Sequence, residues 1–309
     1  MRKLTEIKGI RGVSYRFGEL QKRAKFAVSG SASYARRGLA TRPERLPISA
    51  VMVGRNDDYM PDFRERLAST IQWNLKNQVA EVIFVEWNPP SDRELLAHEL
   101  VENFERLKVF VVSAEVHRQI CKNPKLALLE YHAKNVGIKR ATSPWVLATN
   151  ADVALGLDLI ARLSEEIADE NIAWTAQRID IQWSATRPIG FLDCVKYHRI
   201  HPYMELGTGD FVLASGKLWE RIGGYDESLV KHRIGCDVRG TAQMLAHGAD
   251  IRRAGSILHL AHPTSCSEAI QPHHGEAATL EGVPYTNKSN WGLMDFPQTQ
   301  IGERIWQVG

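Results

Sequence analysis

Between residues 48 and 149, four short apolar runs alternate with three stretches of helical spacing, and this alternation constrains the fold more than any other feature of the chain. The runs at 48–53 (ISAVMV), 81–85 (EVIFV), 109–112 (VFVV) and 145–149 (WVLAT) read as buried strands. Helices are expected at about 60–77, from Ser91 as N-cap to about Arg106, and around 125–140. Strands and helices in this order specify an α/β fold, a doubly wound and mostly parallel sheet flanked by helices. Such sheets bind ligands where the carboxyl ends of the strands meet the loops. The second half is less regular. It reads as a helix at 157–170, a strand region at 172–183, a strand running into a helix over 211–222, a helix over 237–248 that stops at Gly248, and a strand over 251–258. A polar tail rich in Gly and Pro follows. No linker separates the halves (47–152 and 153–265), so a single domain over 47–265 is expected.

Charge divides the 309 residues differently. Lys and Arg number 39 against 36 Asp and Glu, a formal +3, yet residues 1–46 hold 12 basic and 3 acidic side chains, leaving 27 against 33 beyond them. An acidic domain behind a basic arm argues against a nucleic-acid partner. Residues 14–28 of the arm have amphipathic helical spacing, with Phe17, Leu20, Ala24, Ala27 and Val28 near one face. The arm is expected either to pack on its own domain or on a second subunit of a homo-oligomer, or to dock on an anionic membrane surface. No run of about 18 apolar residues and no signal-peptide core is present, so the expectation is a cytoplasmic protein, peripheral at the inner face of the membrane if the arm docks there. Cys121, Cys194, Cys236 and Cys266 form no CxxC pair, which argues against a disulfide framework or a thiolate zinc site.

The fourth strand ends in Thr149-Asn150-Ala151-Asp152-Val153. Asp152 at the carboxyl end of a buried strand is placed to hold a hard divalent cation, Mn²⁺ or Mg²⁺, against a diphosphate. Asn150 and Asp152 are equally able to cap the turn that follows. His259 and His262 come after the last apolar strand; i and i+3 diverge in a strand but converge in a turn, which Pro263 favours. They read either as metal ligands or as hydrogen-bonded surface histidines, and His273-His274 is a weaker alternative pair. Asp237 reads as a general base or as a helix N-cap. After the first strand, Arg55 can pair with phosphate and Asn56 with a ring edge. Glycines at 207 and 209 allow the backbone to approach a ligand closely, and Asp210 can accept hydrogen bonds from it. No GxGxxG or GxxxxGK[ST] occurs, so dinucleotide and P-loop readings have no support.

Several segments together resemble the family-2-like glycosyltransferases of the GT-A fold. Lys134-Asn135-Val136-Gly137 is similar to the KNxG-type helix that precedes the metal-motif strand, and Gly223-Gly224-Tyr225-Asp226-Glu227 to the GG(F/Y)DE ending of the acceptor segment. Cys236-Asp237 stands where the family has an acidic pair, and Ala246 to Ile251 resembles the run that closes that helix. The resemblance covers about 48–265 and implies a nucleotide-binding half (47–152) and an acceptor-binding half (153–265). It departs at Asn150, which replaces the first carboxylate of a DxD motif, and at Cys236.

What the resemblance implies is transfer of a sugar from a nucleotide diphosphate, a UDP-sugar favoured, to a glycan or lipid-linked acceptor, with inversion and Asp237 as base. It places Arg55, Asn56, Glu86, Lys134, Asn135, Asn150 and Ala151 at the nucleotide, Asp152 at the metal, and Gly209, Asp210 and Trp291 at the acceptor. A pair like His259 and His262 completes the metal site in galactosyltransferase-like relatives, and the 266–309 extension is expected to complete the site. Two other readings stay open: a noncatalytic sugar-nucleotide-binding subunit, and a nucleotidyltransferase, which should carry a Gly-rich, Lys-containing loop where Gly54-Arg55-Asn56-Asp57 stands.

Overall fold

The computed structural model describes residues 45–195, 209–233, 235–262 and 287–309. Most of the basic arm, its 14–28 helix, Gly207, Cys266 and His273-His274 lie outside these residues.

The first half follows the expected alternation, with one more helix than expected, between the third strand and the 125–140 helix. Strand β1 (Leu46–Gly54) leads to α1 (Phe63–Lys76), β2 (Val79–Trp87), α2 (Leu96–Asn103), β3 (Leu107–Val112), α3 (Ala114–Ile120), α4 (Glu130–Lys139) and β4 (Trp145–Thr149). The core strands are apolar on both faces because helices cover both faces of the sheet. Leu67, Ile71 and Leu100 fill one side; Val136, Trp219 and Tyr225 fill the other.

The second half contributes β5 (Val153–Leu155), α5 (Leu157–Glu166), β6 (Ile172–Ile181), α6 (Phe191–Val195), β7 (Phe211–Ser215), α7 (Gly216–Ile222), α8 (Cys236–Ala246) and β8 (Asp250–Leu260). A hairpin of β9 (Gln298–Gly302) and β10 (Ile305–Val308) follows. The sheet order is β5-β8-β6-β7-β4-β1-β2-β3-β10-β9. Five of the nine pairings are parallel; the antiparallel ones are β4 with β7, β6 with β7, β5 with β8, and β9 with β10. The chain steps outward from β1 to β3 and then returns through α4 to β4 on the other side of β1. That reversal opens a crevice at the carboxyl ends of β1 and β4.

Several details differ from the sequence reading. Helix α2 starts at Leu96 with Leu95 as N-cap, not at Ser91, because the buried Glu86 carboxylate accepts the Leu96 and Ala97 N–H groups, 3.0 Å each. Helix α8 begins at Cys236 after Gly235, whose φ of 86° supplies the left-handed entry, so Asp237 is not the cap. The described part of the tail adds a strand pair to the sheet that the sequence does not announce: β10 pairs with β3, and Trp306 stacks on Phe110 at 5.1 Å.

Candidate active site

At the sheet's switch point lies a cavity of about 590 Å³. One wall carries Asp152, His259 and His262; Tyr59, Met60, Glu130, Tyr131, Asn150, Ala151, Arg178, Gly209, Asp210, Arg233 and Asp237 also line it.

The backbone of the metal-type cluster is tied to helix α1. Thr70 Oγ1 donates to the Ala151 carbonyl at 2.6 Å, and Arg66 Nη1 to the Leu260 carbonyl at 2.9 Å. The Leu260 N–H donates to the Asp152 carbonyl at 2.9 Å. These bonds hold the turn after β4 against the end of β8. The i, i+3 histidines therefore converge, with ring centroids 5.1 Å apart. His262 Nε2 lies 2.8 Å and His259 Nε2 3.1 Å from Asp152 Oδ2. The donor atoms of the three residues all lie within 4.8 Å of one another.

Burial alone raises the Asp152 carboxyl, but hydrogen bonds to His259 and His262 outweigh it and hold the group well below the usual carboxylate range. Burial depresses His259; its bonds to Asp152 and Asp180 reverse this and lift it to about 9. One carboxylate and two imidazoles in such a cluster fit a divalent cation. The imidazole nitrogens make the set softer than the all-oxygen shell Mg²⁺ prefers, so the donors suit Mn²⁺ better.

A polar chain runs from this cluster to the far wall. Arg178 Nη1 donates to Asp210 Oδ2 at 2.9 Å, and Asn150 Nδ2 donates to Asp210 Oδ1 at 2.8 Å. Lys134, fully buried, donates to Asn150 Oδ1 (2.9 Å), Glu130 Oε1 (2.7 Å) and the Gly209 carbonyl (2.5 Å). Gly209 N–H donates to Asp237 Oδ2 at 2.9 Å. Burial raises the Asp237 carboxyl, with the Glu130 charge adding to it, against the opposing Val238 and Gly209 N–H groups and the Lys134 charge.

The structure thus brings Asn150, Ala151, Asp152, Gly209, Asp210, Asp237, His259 and His262 onto one cavity. Arg55 and Asn56 line a second cavity of about 540 Å³ with Arg93 and Glu94; Met60 borders both. Arg55 is paired with Asp57 at 3.0 Å.

Four residues expected at ligands sit elsewhere. Glu86 is fully buried beneath α2 as its cap. Lys134 lies behind the cavity wall, spending its charge on three internal partners. Asn135 clamps Tyr225, donating from Nδ2 to its carbonyl and accepting its N–H, each at 2.8 Å. Trp291 is buried against Gly224, with Lys139 Nζ 4.6 Å from its ring centroid. The KNxG and GGYDE segments thus grip each other: a Cβ at Gly224 (φ 72°) would meet Asn135 Oδ1 and Trp291, both at 2.6 Å.

The sequence reading missed Tyr59, Glu130, Tyr131, Arg178 and Arg233 on the lining, and Asp180 behind His259. The available signal for the last of these was the charge pair Arg178 and Asp180 in a strand that has no other charged residue.

No family model matches the sequence, and no curated protein does. Solved structures that resemble the chain include a mannosyltransferase from Pyrobaculum calidifontis in complex with GDP-Man and Mn²⁺, 16% identical over 77% of this chain, TM-score 0.44. TarS from S. aureus is 13% identical over 71% of this chain, TM-score 0.42. Glucosyl-3-phosphoglycerate synthase from Mycobacterium tuberculosis, in complex with Mg²⁺ and uridine diphosphate, is 13% identical over 74% of this chain, TM-score 0.38. The chain spans 66%, 38% and 76% of their respective lengths.

Proposed function

We propose that the chain is a glycosyltransferase that moves a sugar from a nucleoside-diphosphate donor to a hydroxyl of a glycan or lipid-linked acceptor, with inversion. The observation that carries this reading is that Asp152, His259 and His262 share one cavity with Asp237, at the carboxyl ends of the central strands. The adjoining cavity with Arg55, Asn56 and Arg93 supports a nucleotide lying across Met60.

In this mechanism Asp237 accepts the proton of the acceptor hydroxyl while that oxygen bonds to C1 of the sugar. The bond from C1 to the diphosphate breaks, and its electron pair leaves with the nucleotide. A carboxyl raised by burial suits a base working near neutral pH. Gly209 N–H holds the carboxylate in place, and Lys134 anchors the Gly209 carbonyl. A divalent ion held by Asp152, His259 and His262 would neutralise negative charge on the leaving diphosphate.

The test is a panel of UDP-, GDP-, CMP- and dTDP-sugars with and without Mn²⁺, followed by donor hydrolysis and transfer assays. Asp237→Asn is expected to lower transfer by 10²-fold or more, on the scale of a lost general base, while donor binding persists. Full transfer activity in that variant would sink the assignment of the base. Nucleotide binding with neither metal dependence nor turnover would instead favour a sugar-nucleotide-binding module.

A further inference from the structure

Strand β6 places two charged residues, Arg178 and Asp180, at i and i+2 on one face of the strand. Strand β8 runs parallel to it, and the register sets Asp180 directly beside His259. Asp180 Oδ1 lies 2.9 Å from His259 Nδ1, on the side of the ring away from the Nε2 that faces Asp152. Arg178 Nε holds the same Asp180 oxygen at 2.8 Å, and its Nη1 reaches Asp210.

The two partners make competing demands on one ring atom. Arg178 Nη2 also lies 2.7 Å from Nδ1 and 3.1 Å from Nε2, and a guanidinium only donates. Nδ1 can therefore donate to Asp180 or accept from Arg178, but not both. A metal ion on Nε2 removes the choice: the neutral ring then carries its only proton on Nδ1, and Asp180 is the acceptor in line with it. Arg178 keeps its bonds to Asp180 and Asp210.

We propose that Asp180, braced by Arg178, is a positioning residue that fixes His259 as the Nδ1–H tautomer and presents Nε2 to the divalent cation. It touches neither donor nor acceptor and acts through His259. The inference rests on the metal site of the proposed function, and it makes that site dependent on a strand pairing outside the ligand set.

The test is Mn²⁺ affinity of the full chain without nucleotide, read as free Mn²⁺ by electron paramagnetic resonance, for the wild type, Asp180→Ala and Asp180→Asn. Loss of a partner of this kind typically weakens metal binding about 10- to 100-fold. We expect that loss for Asp180→Ala and a smaller one for Asp180→Asn, whose amide oxygen still accepts from Nδ1. Equal affinity in all three proteins would overturn the proposal. If neither variant folds, the wild type decides it: ¹⁵N-labelled imidazole spectra with diamagnetic Zn²⁺ should show His259 protonated at Nδ1 and bound through Nε2, and the opposite pattern defeats the idea. A wild type that binds no Mn²⁺ strikes at the proposed metal site itself. Tight wild-type binding that Asp180 variants leave unchanged strikes at this inference alone.

Discussion

Asn150 accepts from Lys134 at one end of its amide and donates to Asp210 at the other. A carboxylate can do only the first. Asn150→Asp, which would rebuild a DxD sequence, sets two carboxylate oxygens about where a 2.8 Å hydrogen bond now stands. The expected result is a loss of about 1–3 kcal/mol in stability, measured by urea denaturation, with Lys134 offsetting part of the repulsion. A variant as stable as the wild type would mean that the Asn150–Asp210 bond carries no weight. At this scale Asp152, His259 and His262 were legible, since a strand-end carboxylate and an i, i+3 pair before a proline announce themselves locally. Arg178 and Asp180 were not, because their purpose depends on which residue of another strand stands beside them. Asn135 and Trp291 misled for a related reason. Sequence motifs mark residue types without saying whether an amide or indole faces a ligand or a neighbouring loop.

Helix α2 takes its N-terminal acceptor from a strand rather than from its own sequence. Burial raises the Glu86 carboxyl to about 7, against the opposing hydrogen bonds from Leu96 and Ala97. The folded state therefore keeps this proton at pH values where the unfolded chain, near 4.5, has lost it. This group makes stability fall as pH rises from about 4.5 to about 7, by on the order of 3 kcal/mol, and adds no further slope above that. Urea midpoints across this range should show that fall, and Glu86→Gln should flatten it. Helix α4 depends on a different local feature: a Cβ at Gly137 would lie 2.4 Å from Val51 Cγ1 on β1. Gly137→Ala is expected to cost about 1–3 kcal/mol by overpacking, and Val51→Ala in the same chain should recover part of it. Additive losses in the double variant would show that the helix does not press on Val51. The strand–helix order was legible because each central strand is apolar on both faces. The three-residue β5 and the tail hairpin were not, since β5 is too short to show a period and the hairpin pairs a polar strand with a four-residue one.

Over the whole molecule, the parallel half supplies the turn that carries Asp152, while β6 and β8 supply Asp180 and His259. Metal binding should therefore stabilise the whole domain. Mn²⁺ at a hundredfold excess over its Kd is expected to add about 2.7 kcal/mol, read as a rise in melting temperature that Asp152→Ala abolishes. A variant stabilised as much as the wild type would place the ion elsewhere.

No helix among the described residues is long and apolar enough to cross a membrane. The sequence by itself determined the class of fold, the place of Asp152 just after a buried strand, and the spacing of the two histidines at the end of another. These follow from hydrophobic periodicity and short-range geometry, which a chain carries locally. Only the tertiary structure decided which polar residues face the cavity, that Glu86 caps a helix, and that Asp180 stands beside His259. Those outcomes depend on strand order and register, which are set by burial of the whole sheet at once and leave no mark within any one segment.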